Sequence, residues 1–260
     1  MTLPPDILDA LRRDWRPGAM YPSEIMWLYD QIVAHGLEVL IECGRQDGVS
    51  TRALGNLLRS HNVELISIDF DEDQQRLAKV RQSLAGLNVR CVSGDIHSQV
   101  PALLRANAGK RIGVLQDGPK GWEGLSTLLA CAFNQDVALL AQHNLHVGHR
   151  SRTFFNLIVC NPPFLEYDPY AAEPQRERAA EIGDARYRES NRDVGHSSLG
   201  ICSLNGALRP AVLENVTALD HSMGPWSSIR TRMSWEAGDF EHVAKLRRRQ
   251  SHSWYRFKRR

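Results

Sequence analysis

Four polar side chains stand at the ends of two consecutive apolar runs: Asp117 and Lys120 follow RIGVLQ, and His143 and Asn144 follow DVALLAQ. An imidazole with an unperturbed pKa of ~6.5 suits proton removal at neutral pH, so without a metal His143 is the natural general base, with Asp117 to orient it or hold its charge. A second group is the stretch Glu42-Cys43-Gly44-Arg45-Gln46-Asp47-Gly48-Val49-Ser50-Thr51. There Gly44 allows close backbone approach, Gly48 allows a tight turn, and a helix beginning at Ser50-Thr51 offers N–H groups to an anion. Further on, Asp69 closes ELISID, where doubly wound nucleotide sites place an acid against ribose hydroxyls.

These residues need a scaffold that brings the ends of several strands to one edge. From residue 22 to about 147 the chain alternates helix-period and strand-like segments. PSEIMWLYDQIVAHG, STRALGNLL, DEDQQRLAKVRQSLAGL, VPALLRAN and GLSTLLACAF read as helices; LEVLIECG, ELISIDF, NVRCVSGD, RIGVLQDG and DVALLAQHN read as strands. Five such units predict an α/β fold, a doubly wound and mostly parallel sheet with helices on both faces and its ligand at the carboxyl ends of the strands. Beyond residue 150, FFNLIVC reads as a further strand ending in Asn161-Pro162-Pro163-Phe164, and SSLGICSL as a late strand. Residues 165–197 read as a polar excursion, a long loop or partly helical, able to act as a lid over an acceptor, and GALRPAVLENVTALDHSM reads as helical in part.

The Glu42–Thr51 stretch resembles the glycine-rich first motif of class I S-adenosylmethionine-dependent methyltransferases, in the ExGxxxGxST form found among O-methyltransferases. The resemblance covers about residues 20–148 and implies a Rossmann-like methyltransferase fold. It implies a donor site of Glu42, Gly44, Gly48, Ser50, Asp69 and Asp95, the last at the position that accepts from the adenine amino group. GxGxxG, the nicotinamide-dinucleotide fingerprint, is absent. Asp117-Gly-Pro-Lys120 and His143-Asn144 resemble the strand-four and strand-five motifs of catechol and caffeoyl-CoA type enzymes, and also of sugar or antibiotic hydroxyl methyltransferases. In the former, Asp117 and Asn144 would hold a divalent metal with the acceptor hydroxyl, and Lys120 would help remove its proton. His143 stands where that family has Asp, which argues against an all-oxygen magnesium site. The implied reaction is methyl transfer to a hydroxyl of a small molecule or sugar.

Asn161, Pro162 and Phe164 resemble instead the corner of amino-methyltransferases. There the Asn oxygen and a Pro carbonyl accept from the target amine while the aromatic ring stacks on it, which would suit a nucleic-acid acceptor. The corner comes one strand later than in that family. A bland reading is that Pro-Pro stops an edge strand. A degenerate donor-binding fold acting as a partner protein is the reading from another class.

At 260 residues, 42% hydrophobic and 24% charged, the chain is expected to form one large domain over residues 1–238 with a basic tail, 239–260. The formal charge of +2 hides that tail: Lys245–Arg260 holds eight Lys/Arg and no acid, leaving −6 on the rest. Trp254, Tyr255 and Phe257 among those cations suit an acidic partner, whether nucleic acid, glycan or membrane surface. Cys43, Cys91, Cys131, Cys160 and Cys202 are spaced singly, as reduced core thiols would be. With no long apolar run, a cytoplasmic location is expected.

Overall fold

The structure, a computed structural model, describes residues 3–159, 164–190 and 196–222. Six strands form one sheet in the order β3-β2-β1-β4-β5-β6: β1 (Val39–Cys43), β2 (Glu64–Asp69), β3 (Val89–Ser93), β4 (Ile112–Gln116), β5 (Val137–Gln142) and β6 (Gly200–Ser203). The first five are parallel, and β6 runs antiparallel to β5. The chain therefore has the doubly wound α/β fold expected of its sequence. The central strands VLIEC, IGVLQ and VALLAQ are buried along their whole length, as a sheet covered on both faces requires.

Alternation along β1 assigns the two layers. Val39, Ile41 and Cys43 join the core beneath α5 (Ile96–Ala106), α6 (Trp122–Cys131), α7 (Arg150–Val159) and α10 (Leu208–Ser222). Leu40 faces the other core, under α1 (Pro5–Asp14), α2 (Pro22–Ala34) and α3 (Val49–Leu58). Glu42 shares the Leu40 face and is the one carboxylate of β1, so its burial needs partners.

One expectation changes. FFNLIV, the described part of FFNLIVC, is not a strand; it lies in α7, which packs against α6 and α10. The buried positions Ser151, Arg152, Phe155, Ile158 and Val159 follow a helical stripe, while Leu157 is exposed. A short apolar run does not separate the two periods, and β6 holds the place beside β5 that this segment would have taken. The 165–197 excursion, read as a long loop or partly helical, contains α8 (Ala172–Gly183) and α9 (Ala185–Ser190) and packs beside α2. α4 (Gln74–Ser83) completes the set, with Asp73 capping it through the amides of Gln75 and Arg76. Cys43, Cys91, Cys131 and Cys202 are free thiols, and Cys160 and the basic tail lie outside the described residues. Among the described residues no helix is long and apolar enough to cross a membrane.

Candidate active site

A cleft of about 730 Å³ opens at the carboxyl ends of β1 to β4. Its floor is the turn between β1 and α3, which takes left-handed backbone at Gly44 (φ 95°), Gln46 (φ 48°) and Gly48 (φ 71°). Gly44 is required by its neighbour: a Cβ there would stand 2.6 Å from the Gly118 nitrogen and 2.9 Å from its Cα. The turns after β1 and β4 therefore touch backbone to backbone, with the amides of Asp117 and Gly118 both donating to the Cys43 carbonyl at 2.8 and 2.7 Å. Gly48 caps α3, and a Cβ there would press on Val80 of α4.

Asp69 at the end of β2 braces this turn. Its Oδ2 accepts from the amides of Arg45 (2.8 Å) and Gln46 (2.7 Å). Burial works to raise its pKa, and the N–H groups of Gln46, Arg45 and Phe70 outweigh burial and bring it below the usual value. Arg45, which sequence reasoning did not single out, turns inward instead of into the cleft. It donates to the Ser67 carbonyl and to Asp71 Oδ2, each at 2.5 Å, and Ser93 Oγ donates to the same Asp71 oxygen at 2.7 Å. Glu42 lies beneath the turn, accepting from Thr51 Oγ1 at 2.6 Å and Ser67 Oγ at 2.5 Å. Burial pushes its pKa up to about 7 against those two donors.

Of the donor-site residues expected from the sequence, Gly44, Ser50, Asp69 and Asp95 line the cleft. Glu42 and Gly48 support it from behind. Asp95 caps α5 through the His97 amide at 3.2 Å. The fourth wall is Arg16–Ala19, between α1 and α2, where Ser50 Oγ accepts from the Met20 amide at 3.3 Å. Sequence reasoning did not single out this stretch; a Pro-Gly pair favours a turn, but no local pattern sets where that turn lies against the sheet. No described residue of the 165–197 excursion lines the cleft. The excursion braces the wall instead: Arg12 of α1 donates to Glu177 of α8 at 2.8 Å, and Tyr187 of α9 packs on Trp15 with centroids 4.5 Å apart.

At the far end the cleft reaches Asp117. β4 and β5 bring Asp117, His143 and Asn144 together, with Asn144 in left-handed backbone (φ 64°) that Asn tolerates. Asp117 Oδ1 accepts from His143 Nδ1 at 2.7 Å and from Asn144 Nδ2 at 2.9 Å. Among the described residues, no donor is bonded to Asp117 Oδ2. The other imidazole nitrogen, Nε2, faces Glu24 Oε2 at 3.5 Å. Burial acts to lower the His143 pKa, but the charge and hydrogen bond of Asp117 and then those of Glu24 overcome it and push it up to about 10. His143 is thus a buried ring held between two carboxylates, which favour its charged form. With both nitrogens turned to carboxylates and the ring outside the lining of the cleft, His143 presents neither nitrogen to an acceptor bound there.

The same contacts bear on a metal. Asp117 Oδ1 already faces two partners, His143 Nδ1 and Asn144 Nδ2, and the Asn144 amide is turned to it through its nitrogen. Among the described residues no group of three His, Cys, Asp or Glu side chains is arranged to hold an ion. Asp117 and Asn144 do not fit the cation-binding pair implied by the resemblance. Lys120 is exposed, outside the lining of the cleft.

Asn161 and Pro162 lie outside the described residues. Phe164 is buried, with the Arg152 guanidinium 3.6 Å over its ring and a β-bridge to Gly200. Its face is covered by a side chain of its own protein. It does not provide the open stacking surface that an amine acceptor needs.

No family model matches the chain, and no curated protein matches its sequence. Solved structures with a similar fold include the O-methyltransferase TomG from Streptomyces achromogenes, involved in tomaymycin synthesis and crystallised with S-adenosylmethionine. It is 14% identical with a TM-score of 0.44 over 79% of this chain and 92% of that one. An O-methyltransferase from Bacillus cereus in complex with SAH is 12% identical, with a TM-score of 0.43 over 77% and 91% of the two chains. The TDP-rhamnose 3'-O-methyltransferase CalS11 of calicheamicin biosynthesis is 13% identical, with a TM-score of 0.41 over 53% and 71%. Likeness at these values adds nothing to the chemistry of the site, which rests on the residues themselves.

Proposed function

We propose that the protein is an S-adenosylmethionine-dependent methyltransferase acting on a hydroxyl of a small molecule or sugar. The observation that carries this reading is the continuity of one cleft from the Gly44 turn, Asp69 and Asp95 to Asp117, whose Oδ1 is held by His143 and Asn144 while Oδ2 has no donor among the described residues. S-adenosylmethionine, when bound, supplies an electrophilic methyl group on a sulfonium. The residues present fit it: the left-handed turn and the α3 N-terminus for its carboxylate end, Asp69 for ribose hydroxyls, Asp95 for the adenine amino group.

The chain's remaining task is to align the acceptor and take its proton. Asp117 Oδ2 accepts the hydrogen of the acceptor hydroxyl, which points the oxygen lone pair along the cleft, and receives that proton as the new O–C bond forms and the methyl's bond to sulfur breaks, leaving its electron pair on a neutral thioether. The His143 charge holds Asp117 in place throughout and is not itself consumed.

The test pairs donor binding with transfer from labelled S-adenosylmethionine to a panel of sugar and phenolic hydroxyls. Asp117→Asn is expected to lower transfer by about 10²–10⁴-fold, the range of general acid–base catalysis, with the donor Kd unchanged. A well-folded protein that does not bind the donor would refute the reading, and full transfer by Asp117→Asn would remove Asp117 from it.

A further inference from the structure

His143 has a second carboxylate behind it, and that carboxylate belongs to a different part of the chain. Glu24 sits in the first turn of α2, wholly buried. Its Oε1 accepts from the amides of Ser198 (2.7 Å) and Leu199 (3.2 Å) and from the hydroxyls of Ser198 (3.0 Å) and Ser197 (3.2 Å). Its Oε2 accepts from the Tyr21 amide at 3.1 Å and faces His143 Nε2 at 3.5 Å. The carboxylate is thereby fixed from two directions before it meets the ring.

Capping α2 and gathering residues 197–199 would account for Oε1 and for the Tyr21 contact. It does not account for an imidazole turned edge-on to Oε2. A contact at one nitrogen fixes one edge of an imidazole, and a contact at the other nitrogen fixes the opposite edge. Each nitrogen of His143 meets a carboxylate, so the ring plane is set at both ends. That setting decides which oxygen of Asp117 is occupied and which remains for the cleft.

On the reading of the site given above, we infer that Glu24 is a positioning residue for methyl transfer: through Nε2 of His143 it fixes the ring that in turn holds Asp117 Oδ1, leaving Oδ2 for the acceptor. Glu24 touches neither donor nor acceptor. The line Asp117–His143–Glu24 runs from the cleft into the core, and only its first member is part of the cleft lining.

A double-mutant cycle on the full chain distinguishes this from a purely structural role. Glu24→Gln and His143→Gln are each expected to lower kcat by about 10–100-fold, as a small displacement of a reacting group does, with donor Kd and acceptor KM within about two-fold of wild type. The double variant is expected to be no slower than the slower single one, because Glu24 acts through the ring. Multiplicative losses, or a Glu24→Gln loss that persists undiminished when His143 is already Gln, would overturn the inference. If Glu24→Gln does not fold, ¹⁵N imidazole spectra of the Ser198→Ala variant, which loosens Glu24 by one contact, supply the second arm. A shift confined to Nε2 of His143, assigned by its loss in His143→Gln, is expected, and an unchanged ring signal would overturn it. The functional reading fails separately, through absent donor binding by the wild type, while the ring signal still decides whether Glu24 holds His143.

Discussion

Gly44 and Gly118 face each other where the β1 and β4 turns touch, yet they are not equivalent. An alanine Cβ at 44 would meet Gly118 N at 2.6 Å, Gly118 Cα at 2.9 Å and Asp117 C at 3.0 Å, all backbone atoms, in a residue at φ 95°. Overpacking against atoms that cannot rotate away costs about 1–3 kcal/mol. Left-handed backbone in a residue with a Cβ costs about 1–2 kcal/mol more. Gly44→Ala should therefore lose about 2–5 kcal/mol, a fall in Tm of roughly 5–15 °C for a chain of this size. At Gly118 the added Cβ meets only Gly44 Cα, at 3.5 Å, so Gly118→Ala should cost less than about 1 kcal/mol. Gly36 supplies the strain alone, having φ 56° and nothing within 4 Å of an added Cβ. Urea unfolding of the three variants, with S-adenosylmethionine binding measured alongside, should rank them 44, then 36, then 118. Donor binding should be lost only in the first. If Gly44→Ala and Gly36→Ala lose the same stability, the backbone contact between the two turns is not what requires glycine.

Phe164→Ala should destabilise by about 3–5 kcal/mol, because the ring is buried under Arg152, and should leave acceptor KM unchanged in the folded fraction; the reverse pattern would restore the amine-binding corner. Burial pushes the Glu181 carboxyl up to about 7 despite the Ser23 donors and Arg178. Its folded pKa lies above the unfolded value, so its contribution is full below pH ~4.5 and is lost as pH rises to about 7, on the order of 3 kcal/mol. Unfolding free energies of Glu181→Gln should lack that decline between pH 4.5 and 7; an identical slope in both proteins would show that Glu181 is not its source. Lys120→Ala should leave transfer within a few-fold of wild type, since Lys120 is exposed outside the cleft, and a loss comparable to that of Asp117→Asn would return it to the site.

The sheet was legible because each central strand is a five- or six-residue apolar run closed by an acid, a glycine or an amide. The same punctuation marked Gly44, Asp69, Asp95, Asp117 and His143, since strand ends are where a doubly wound fold places its ligand. FFNLIVC misled because the polar residues before it belong to the same helix, and Ser151 and Arg152 supply two of its five buried positions. The charge state of His143 was not legible, because it depends on Glu24 from a helix that sequence alone places only on a sheet face. Glu24 itself is tied to Ser198, 174 residues away. The Arg16–Ala19 wall has the same origin: it is set by pairings such as Arg12 with Glu177, 165 residues apart, and no local pattern encodes such a pairing.

That last pairing has a consequence for how the protein is made. Synthesis delivers α1 and the Arg16–Ala19 wall first, and the residues that clamp them, Glu177 and Tyr187, much later. The glycine turn and the first four strands can leave the ribosome and pair while the cleft still lacks one side. An early release of the chain, after β5 and before residue 177, would leave the parallel strands with their ends in order and a donor site that lacks its clamp. Truncated products should therefore be partly folded yet unable to retain the donor, which separates completion of the fold from completion of the site in time.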